Sequence, residues 1–280
     1  MQRLSKRLWA IAELVTPGSR IVDVGTDHAF LPIYLVQCGK IPLALAFDIN
    51  EGPLSAARTH IGEAGLSDKI GTRRSDGLAA LKPGEADSVV AAGMGGALMM
   101  RILSDWFSRT ADGSRGSDGE RKSAAPACGP AEDADLPPIR EWILQPQSEI
   151  PRVREFLRRM GLVICDETML KEDGKYYTVI RAVPEVYCGT EAGRADFFGA
   201  GMLPGQKEEF VRLCDAFGPT LLNKKDPVLK EWLIREQSIE KKILRSLLQA
   251  DTEGAGIRRD EINEQLALIK EAVRLLETDD

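Results

Sequence analysis

Residues 23–35, DVGTDHAFLPIYL, decide how the rest of the chain is read. The apolar run that reaches Val24 predicts a strand, Gly25 predicts a turn, and the residues after His28 predict a helix. Nucleotide-binding sheets begin in this way. Yet Asp27 and His28, one of only two histidines, stand where a dinucleotide fingerprint would place two more glycines. The loop therefore speaks against an NAD-dependent oxidoreductase. An anionic Asp27 would repel a pyrophosphate, whereas it suits a ligand with a positive centre. S-adenosylmethionine, with its sulfonium and ammonium, is such a ligand. Asp27 could equally be an N-cap for a helix over 29–38.

The same alternation continues outward from this stretch. Short strands are expected at 20–24, 43–48, 69–73, 87–92, 140–145, 162–169 and 176–182, with helices at 29–38, 53–64, 96–108 and 151–160. Strands alternating with helices imply an α/β fold with a parallel sheet covered on both faces. The last two strands, joined by LKEDGK, suggest a hairpin and hence one antiparallel strand. Seven strands with a terminal hairpin outline the Rossmann-like class I methyltransferase sheet. Residues 110–138, rich in Gly, Ser, Pro, Ala and charge, read as a flexible surface insertion, a solvated linker whose Arg115, Arg121 and Lys122 could otherwise touch RNA. Beyond residue 183 the strand signals stop. Helices are expected at 190–201 and 206–217, and another begins at Asp226-Pro227. Gly254 and Gly256 are read as the break before a last helix over 257–277, which would close an antiparallel helical hairpin. The expected domains are 1–185, a methyltransferase sheet, and 186–280, a helical hairpin or coiled coil.

Composition narrows the class further. The chain has 280 residues, a net charge of −6 and a mean hydropathy of −0.19. It holds no run of apolar residues long enough for a membrane span. The N-terminus reads as an amphipathic helix carrying Leu4, Leu8, Ile11, Ala12 and Val15, not as a signal peptide. Five scattered cysteines form no CxxC pair or His/Cys cluster, so neither a metal site nor a disulfide framework is expected. A reducing cytoplasm fits, and a monomer is favoured. Trp9, Trp106, Trp142 and Trp232 are read as core, and His60 as a surface residue on a helix. The acidic net charge argues weakly against nucleic acid. Local basic clusters keep it open as a partner: Arg3, Lys6 and Arg7; Arg152, Arg154, Arg158 and Arg159; and the lysines and arginines from Lys224 to Arg245.

Five positions carry the candidate chemistry. Gly25 allows close backbone approach to a ligand. Asp48 ends the second strand, where an acid accepts hydrogen bonds from a ribose diol, and Asn50 follows it. Asp76-Gly77 follows the third strand, where sheets of this type place an acid near the adenine amino group. Gly93, Gly95 and Gly96 follow the fourth strand and bring backbone near both cofactor and substrate. The Asn/Asp-Pro-Pro-Tyr/Phe tetrapeptide of amino-directed methyltransferases is absent there. Gln145 and Gln147 follow the fifth strand and could read a base edge, or serve only as turn residues around Pro146. His28 could be a base, a stacking partner or a structural histidine.

These stretches, taken together, resemble a known family. LSKRL (4–8), DVGTDHAFLPIYL (23–35), FDINEGPLSAA (47–57), SDGL (75–78), GMGG (93–96), ILQPQ (143–147), EDGKYYTVI (172–180) and FGPTLL (217–222) are similar to motifs of the bacterial tRNA adenine-N1 methyltransferases that modify adenine 22. The resemblance spans nearly the whole chain. It implies S-adenosylmethionine as cofactor, tRNA as substrate and a C-terminal coiled-coil domain that binds tRNA. Carried onto this chain, it implies cofactor binding by Gly25, Thr26, Asp27, Asp48, Ile49, Asn50, Asp76, Gly77, Gly93, Met94 and Gly95. Substrate binding would fall to Arg7, Gln145, Gln147, Lys175 and Tyr177, and catalysis to Asp27 with His28. The chain departs from the family pattern at Asp48, where glutamate is usual, at Gln147, where asparagine is usual, and in its long 110–138 segment. The alternatives are a methyltransferase for another RNA, a protein or a small molecule, or a non-catalytic RNA-binding protein.

Overall fold

Apolar residues on both faces of each central strand account for the architecture. In the computed structural model, which describes residues 2–82, 84–112, 139–188, 204–248 and 252–278, seven strands form one sheet in the order β3-β2-β1-β4-β5-β7-β6. They are β1 (Ile21–Val24), β2 (Ala44–Asp48), β3 (Ile70–Arg74), β4 (Ser88–Met94), β5 (Glu141–Pro146), β6 (Leu162–Glu172) and β7 (Lys175–Pro184). β1 to β5 run parallel, and β7 is antiparallel to both β5 and β6. The helices of this part are α1 (Lys6–Leu14), α2 (Phe30–Gln37), α3 (Glu51–Glu63), α4 (Gly96–Asp112) and α5 (Ile150–Arg159). Alternate strand residues enter opposite layers. Val22, Val24, Val89, Ala91, Trp142 and Leu144 pack with Met99, Leu103, Val153 and Leu157 of α4 and α5. Ile21, Ala44, Ala46, Val90 and Ile143 pack with Ile11, Ile33, Leu35 and Ile61 of α1, α2 and α3. This is the doubly covered, mostly parallel sheet of a Rossmann-like methyltransferase.

The terminal hairpin turns on Asp173 and Gly174, both at positive φ (49° and 75°), the geometry that a two-residue turn between twisted strands needs. Among the described residues four helices follow: α6 (Pro204–Phe217), α7 (Pro219–Asn223), α8 (Pro227–Leu247) and α9 (Glu253–Glu277). Asp226 caps α8 by accepting from the Val228 and Leu229 amides. α8 and α9 run antiparallel, with Lys230 near the start of one 3.0 Å from Glu277 at the end of the other. Leu229, Leu233, Ile269, Ala272 and Leu276 share one core with Leu213, Phe217 and Leu221, and that core takes in Met169 and Tyr176 of the β hairpin.

Three sequence expectations need correction here. Gly254 and Gly256 do not break a helix. They lie in the first turn of α9, whose N-cap is Thr252, with its side chain accepting from the Ala255 amide. The Gly256 amide already donates to the Thr252 carbonyl at 3.0 Å, so the helix runs through both glycines. Trp9 is not core: it is 51% exposed on the outer face of α1, while Trp106 and Trp142 are buried. α7 was not foreseen. The expected helix over 190–201 and residues 113–138 of the expected insertion lie outside the described residues. Among the described residues no helix is long and apolar enough to cross a membrane, and no cluster of three or more His, Cys, Asp or Glu could hold a metal.

Candidate active site

Four parallel strands deliver their carboxyl ends to one edge, and the loops that follow them carry the glycines and acids. After β1 the amides of Gly25 and Thr26 both donate to the Phe47 carbonyl of β2, at 2.8 and 2.9 Å, which bends the chain at Gly25 (φ +77°). The turn continues through Asp27 and His28 to Ala29, which heads α2 in the left-handed region with no side-chain cap. Asp27 is therefore not the N-cap of α2. Its side chain is 80% exposed, and its carboxylate lies 3.4 Å from His28 Nε2. The His28 ring stacks on Phe30 at 5.0 Å and tilts against His60 at 5.2 Å. His60, expected at the surface, is half-buried in this ring cluster.

On one side of Gly25 stands the end of β2, where Asp48 accepts from the Asn50 amide at 2.7 Å and Ile49 presents a half-exposed apolar side chain. Beyond it, Asp76 pairs with Arg101 of α4 at 3.0 Å, and Gly77 (φ +54°) packs so closely that a Cβ would meet Ile102 at 2.9 Å. On the other side, β4 runs out into Gly93 (φ +77°), Met94 and Gly95. β1 and β4 are neighbours whose connections leave in opposite directions, the switch point at which open α/β sheets bind ligands. Gly25, Thr26, Asp27, Asp48, Ile49, Asn50, Asp76, Gly77, Gly93, Met94 and Gly95 thus share one edge.

Asp23, one turn of strand inside this edge, was not singled out in the sequence. It is buried within β1, and burial pushes its carboxyl up to about 6 from 3.8. The Thr26 hydroxyl beside it works the other way, and the Asp48 charge adds to the rise. A single acid inside the apolar strand RIVDV was the signal available. Two acids, backbone left bare by glycine and an exposed Ile49 fit a ligand with positive centres, a ribose diol and a flat base. They do not fit a pyrophosphate.

The residues expected to meet the substrate lie beyond β4. Gln145 is 0% exposed, so the expectation that it reads a base edge is corrected. Its Oε1 accepts from Arg7 Nη1 at 2.9 Å and from the Gly93 amide at 3.1 Å, and its Nε2 donates to the Pro146 carbonyl. It braces the glycine loop against α1. The Arg7 guanidinium lies over the Tyr177 ring at 5.8 Å. Gln147 is exposed, with its amide donating to the Met94 carbonyl at 2.9 Å. Arg7, Tyr177, Gln147 and Gly93 therefore converge, and Lys175 stands exposed at the hairpin tip. Ser148 and Glu149 were missed. Ser148 Oγ accepts from the Gly96 amide at 3.2 Å and Glu149 Oε2 from the Ala97 amide at 2.9 Å, so they cap α4 across the sheet edge. In sequence they read only as the start of α5.

Of the basic residues on α5, two are not free for phosphate. Arg154 is buried against Glu167 at 2.8 Å and donates to the Asp215 and Ala216 carbonyls. Arg158 pairs with Asp215 at 2.6 Å. Both pin the helical part to the sheet. Lys224 pairs with Asp166 and Lys171 with Glu231 across the same junction.

Residues 4–114 match the methyltransferase domain family, and residues 131–271 match the tRNA (adenine(22)-N(1))-methyltransferase family. The tRNA (adenine(22)-N(1))-methyltransferase of Bacillus subtilis is 34% identical over 97% of each chain. The crystal structure of the B. subtilis M1A22 tRNA methyltransferase TrmK superposes with a TM-score of 0.74 at 30% identity, covering 98% of this chain and 100% of that one. The structure of M. capricolum TrmK in complex with S-adenosyl-homocysteine superposes with a TM-score of 0.70 at 25% identity, covering 98% of this chain and 99% of that one.

Proposed function

Because the chain belongs to the tRNA (adenine(22)-N(1))-methyltransferase family, we propose that it transfers the methyl group of S-adenosylmethionine to N1 of adenine 22 in tRNA, with Asp27 facing the reacting base. One observation carries the assignment of roles: Asp27 is exposed, caps no helix, and sits in the loop that leaves β1, the strand flanked by β2 and β4. In this reading Asp48, Ile49 and Asn50 hold the ribose and adenine of the cofactor, Asp76 and Gly77 border its base, and Gly25, Thr26 and Gly93 to Gly95 leave room for its methionine part. When bound, the cofactor supplies an electrophilic sulfonium methyl. Adenine N1 carries a lone pair and no proton, so the chain need supply no base before attack.

What the chain supplies is charge and position. The methylated base is cationic, and the Asp27 carboxylate stabilises that charge as it forms. His28 orients Asp27 through its Nε2. N1 lies on the pairing edge of adenine, so the base must be unpaired or turned out of its stack. Gln147, Tyr177, Arg7 and Lys175 border the place where it would enter. Residues 1–185 carry the transfer. Residues 186–280, with α8 and α9 as an antiparallel coiled-coil hairpin, grip the tRNA body. Every residue assigned above comes from one chain, in keeping with action as a monomer, and the scattered cysteines are in keeping with the cytoplasm.

The test is transfer of labelled methyl from S-adenosylmethionine to unmodified tRNA, with adenine 22 or another base at that position. Label that requires adenine 22, and is lost in Asp27→Asn while cofactor still binds, is expected. Label that ignores the base at 22 would overturn the substrate, and full activity in Asp27→Asn would overturn the role of Asp27.

A further inference from the structure

The turn that presents Asp27 is held from both ends by a single unit, β2 with α3. At its start, the Gly25 and Thr26 amides meet the Phe47 carbonyl of β2. At its end, Ala29 sits buried at φ +56°, a left-handed conformation that a non-glycine residue keeps only where its surroundings over-determine it. Those surroundings are three rings in mutual contact. His28 and Phe30 stack at 5.0 Å with 17° between their planes, and His60 of α3 lies 5.2 Å from one and 5.0 Å from the other. His60 Nδ1 is also 3.3 Å from the His28 carbonyl. A carbonyl can only accept, so Nδ1 carries the hydrogen and donates it. The peptide that follows His28 is thereby fixed from α3, and Asp27 projects from a turn with no freedom at either end.

We propose that His60 is a positioning residue for methyl transfer: its ring clamps His28 and Phe30, and its Nδ1 holds the His28 carbonyl, so that Asp27 keeps its place at the reacting base. This rests on the reading of Asp27 given above. Positioning is costly to lose, since a misplacement of about 1 Å can cost on the order of a hundredfold in rate. The cofactor's other contacts, at Asp48 to Asn50 and Gly93 to Gly95, lie outside the clamp. The loss should therefore fall on kcat and not on cofactor affinity.

The experiment compares His60→Ala, His60→Phe and Asp27→Asn with wild type. It measures kcat with tRNA at saturating cofactor, KM for S-adenosylmethionine and the thermal midpoint, with rates taken well below that midpoint. His60→Ala is expected to lose about tenfold or more in kcat with KM for cofactor changed less than about threefold. His60→Phe, which keeps the ring but not the Nδ1–H donor, should recover part of the rate, and the remaining loss measures the bond to the His28 carbonyl. A His60→Ala enzyme within twofold of wild type, beside an inactive Asp27→Asn, would overturn the clamp and leave the Asp27 reading standing. Full activity in Asp27→Asn would overturn both. Equal losses in His60→Ala and His60→Phe would overturn the ring clamp, and so would a loss that appears only in the thermal midpoint.

Discussion

Replacing Asp23 by asparagine should make the free protein more stable and its cofactor site worse. Asp23 is buried, and its carboxyl is pushed up to about 6 from 3.8, chiefly by desolvation. One pKa unit corresponds to about 1.4 kcal/mol, so folding with this group ionised costs roughly 3 kcal/mol relative to folding it protonated. The folded state binds the proton more tightly than the unfolded one. The contribution of this group to stability is therefore fully present below about pH 4 and is lost as pH rises through about 6. Asparagine keeps the shape of the protonated acid and cannot ionise. At pH 7.5 the Asp23→Asn protein should gain about 3 kcal/mol, or about 6–10 °C in thermal midpoint for a chain of this size. At pH 4.5 the gap should shrink to about 1 kcal/mol. Thermal unfolding followed by circular dichroism at the two pH values, without cofactor, measures both. Wild type as stable as the variant at pH 7.5, or a gap that acidification does not narrow, would refute the reasoning. Calorimetric titration should show weaker binding of S-adenosylmethionine to the variant, because a buried negative charge near its positive centres is gone.

Three more substitutions test other parts of the argument. Gln145→Leu strips the Gly93 amide and Arg7 of their shared acceptor, and should cost about 1–3 kcal/mol in urea unfolding together with a fall in kcat. Arg154→Met leaves the Glu167 carboxylate charged with its side chain 0% exposed, a loss of about 3–5 kcal/mol. Adding Glu167→Gln should restore much of that in the same assay, and failure to restore it would mean that the charge is not the cause. Gly96→Ala puts a Cβ 2.5 Å from the Ser148 carbonyl oxygen and pushes α4 off its Ser148 and Glu149 caps. Its expected cost is about 1–3 kcal/mol, read from thermal unfolding, with a matching loss of cofactor affinity.

The sheet was legible in the sequence because strands buried on both faces leave near-continuous apolar runs, and the hairpin because Asp173-Gly174 suits a tight turn. The helix phase of the N-terminus was legible too, and it contained the correction to Trp9. Leu4, Leu8, Ile11 and Val15 define a stripe, and position 9 lies about 130° from its centre. Residue type had outweighed phase. Gly254 and Gly256 misled for the opposite reason: the Thr252 cap decides where α9 begins, and the helix runs through both glycines. At the site, local spacing revealed the loops after β1, β2, β3 and β4. Local spacing could not reveal partners far apart in the chain: Gln145 with Arg7, Ser148 with Gly96, or His60 with His28. Those pairings exist only once the sheet has brought separate loops to one edge.

The buried Arg154–Glu167 pair also bears on how such a chain can evolve. Glu167 also takes the Thr220 amide and hydroxyl, while Arg154 holds two carbonyls at the end of α6, and Met169 and Tyr176 lend their side chains to the neighbouring core. A cut near residue 185 would leave an ion pair facing water and an apolar wall uncovered on each piece. The helical part is therefore not a cassette that recombination could exchange whole. Change there must come by point substitution on the exposed faces of α8 and α9, while their inner faces stay tied to α6 and the hairpin.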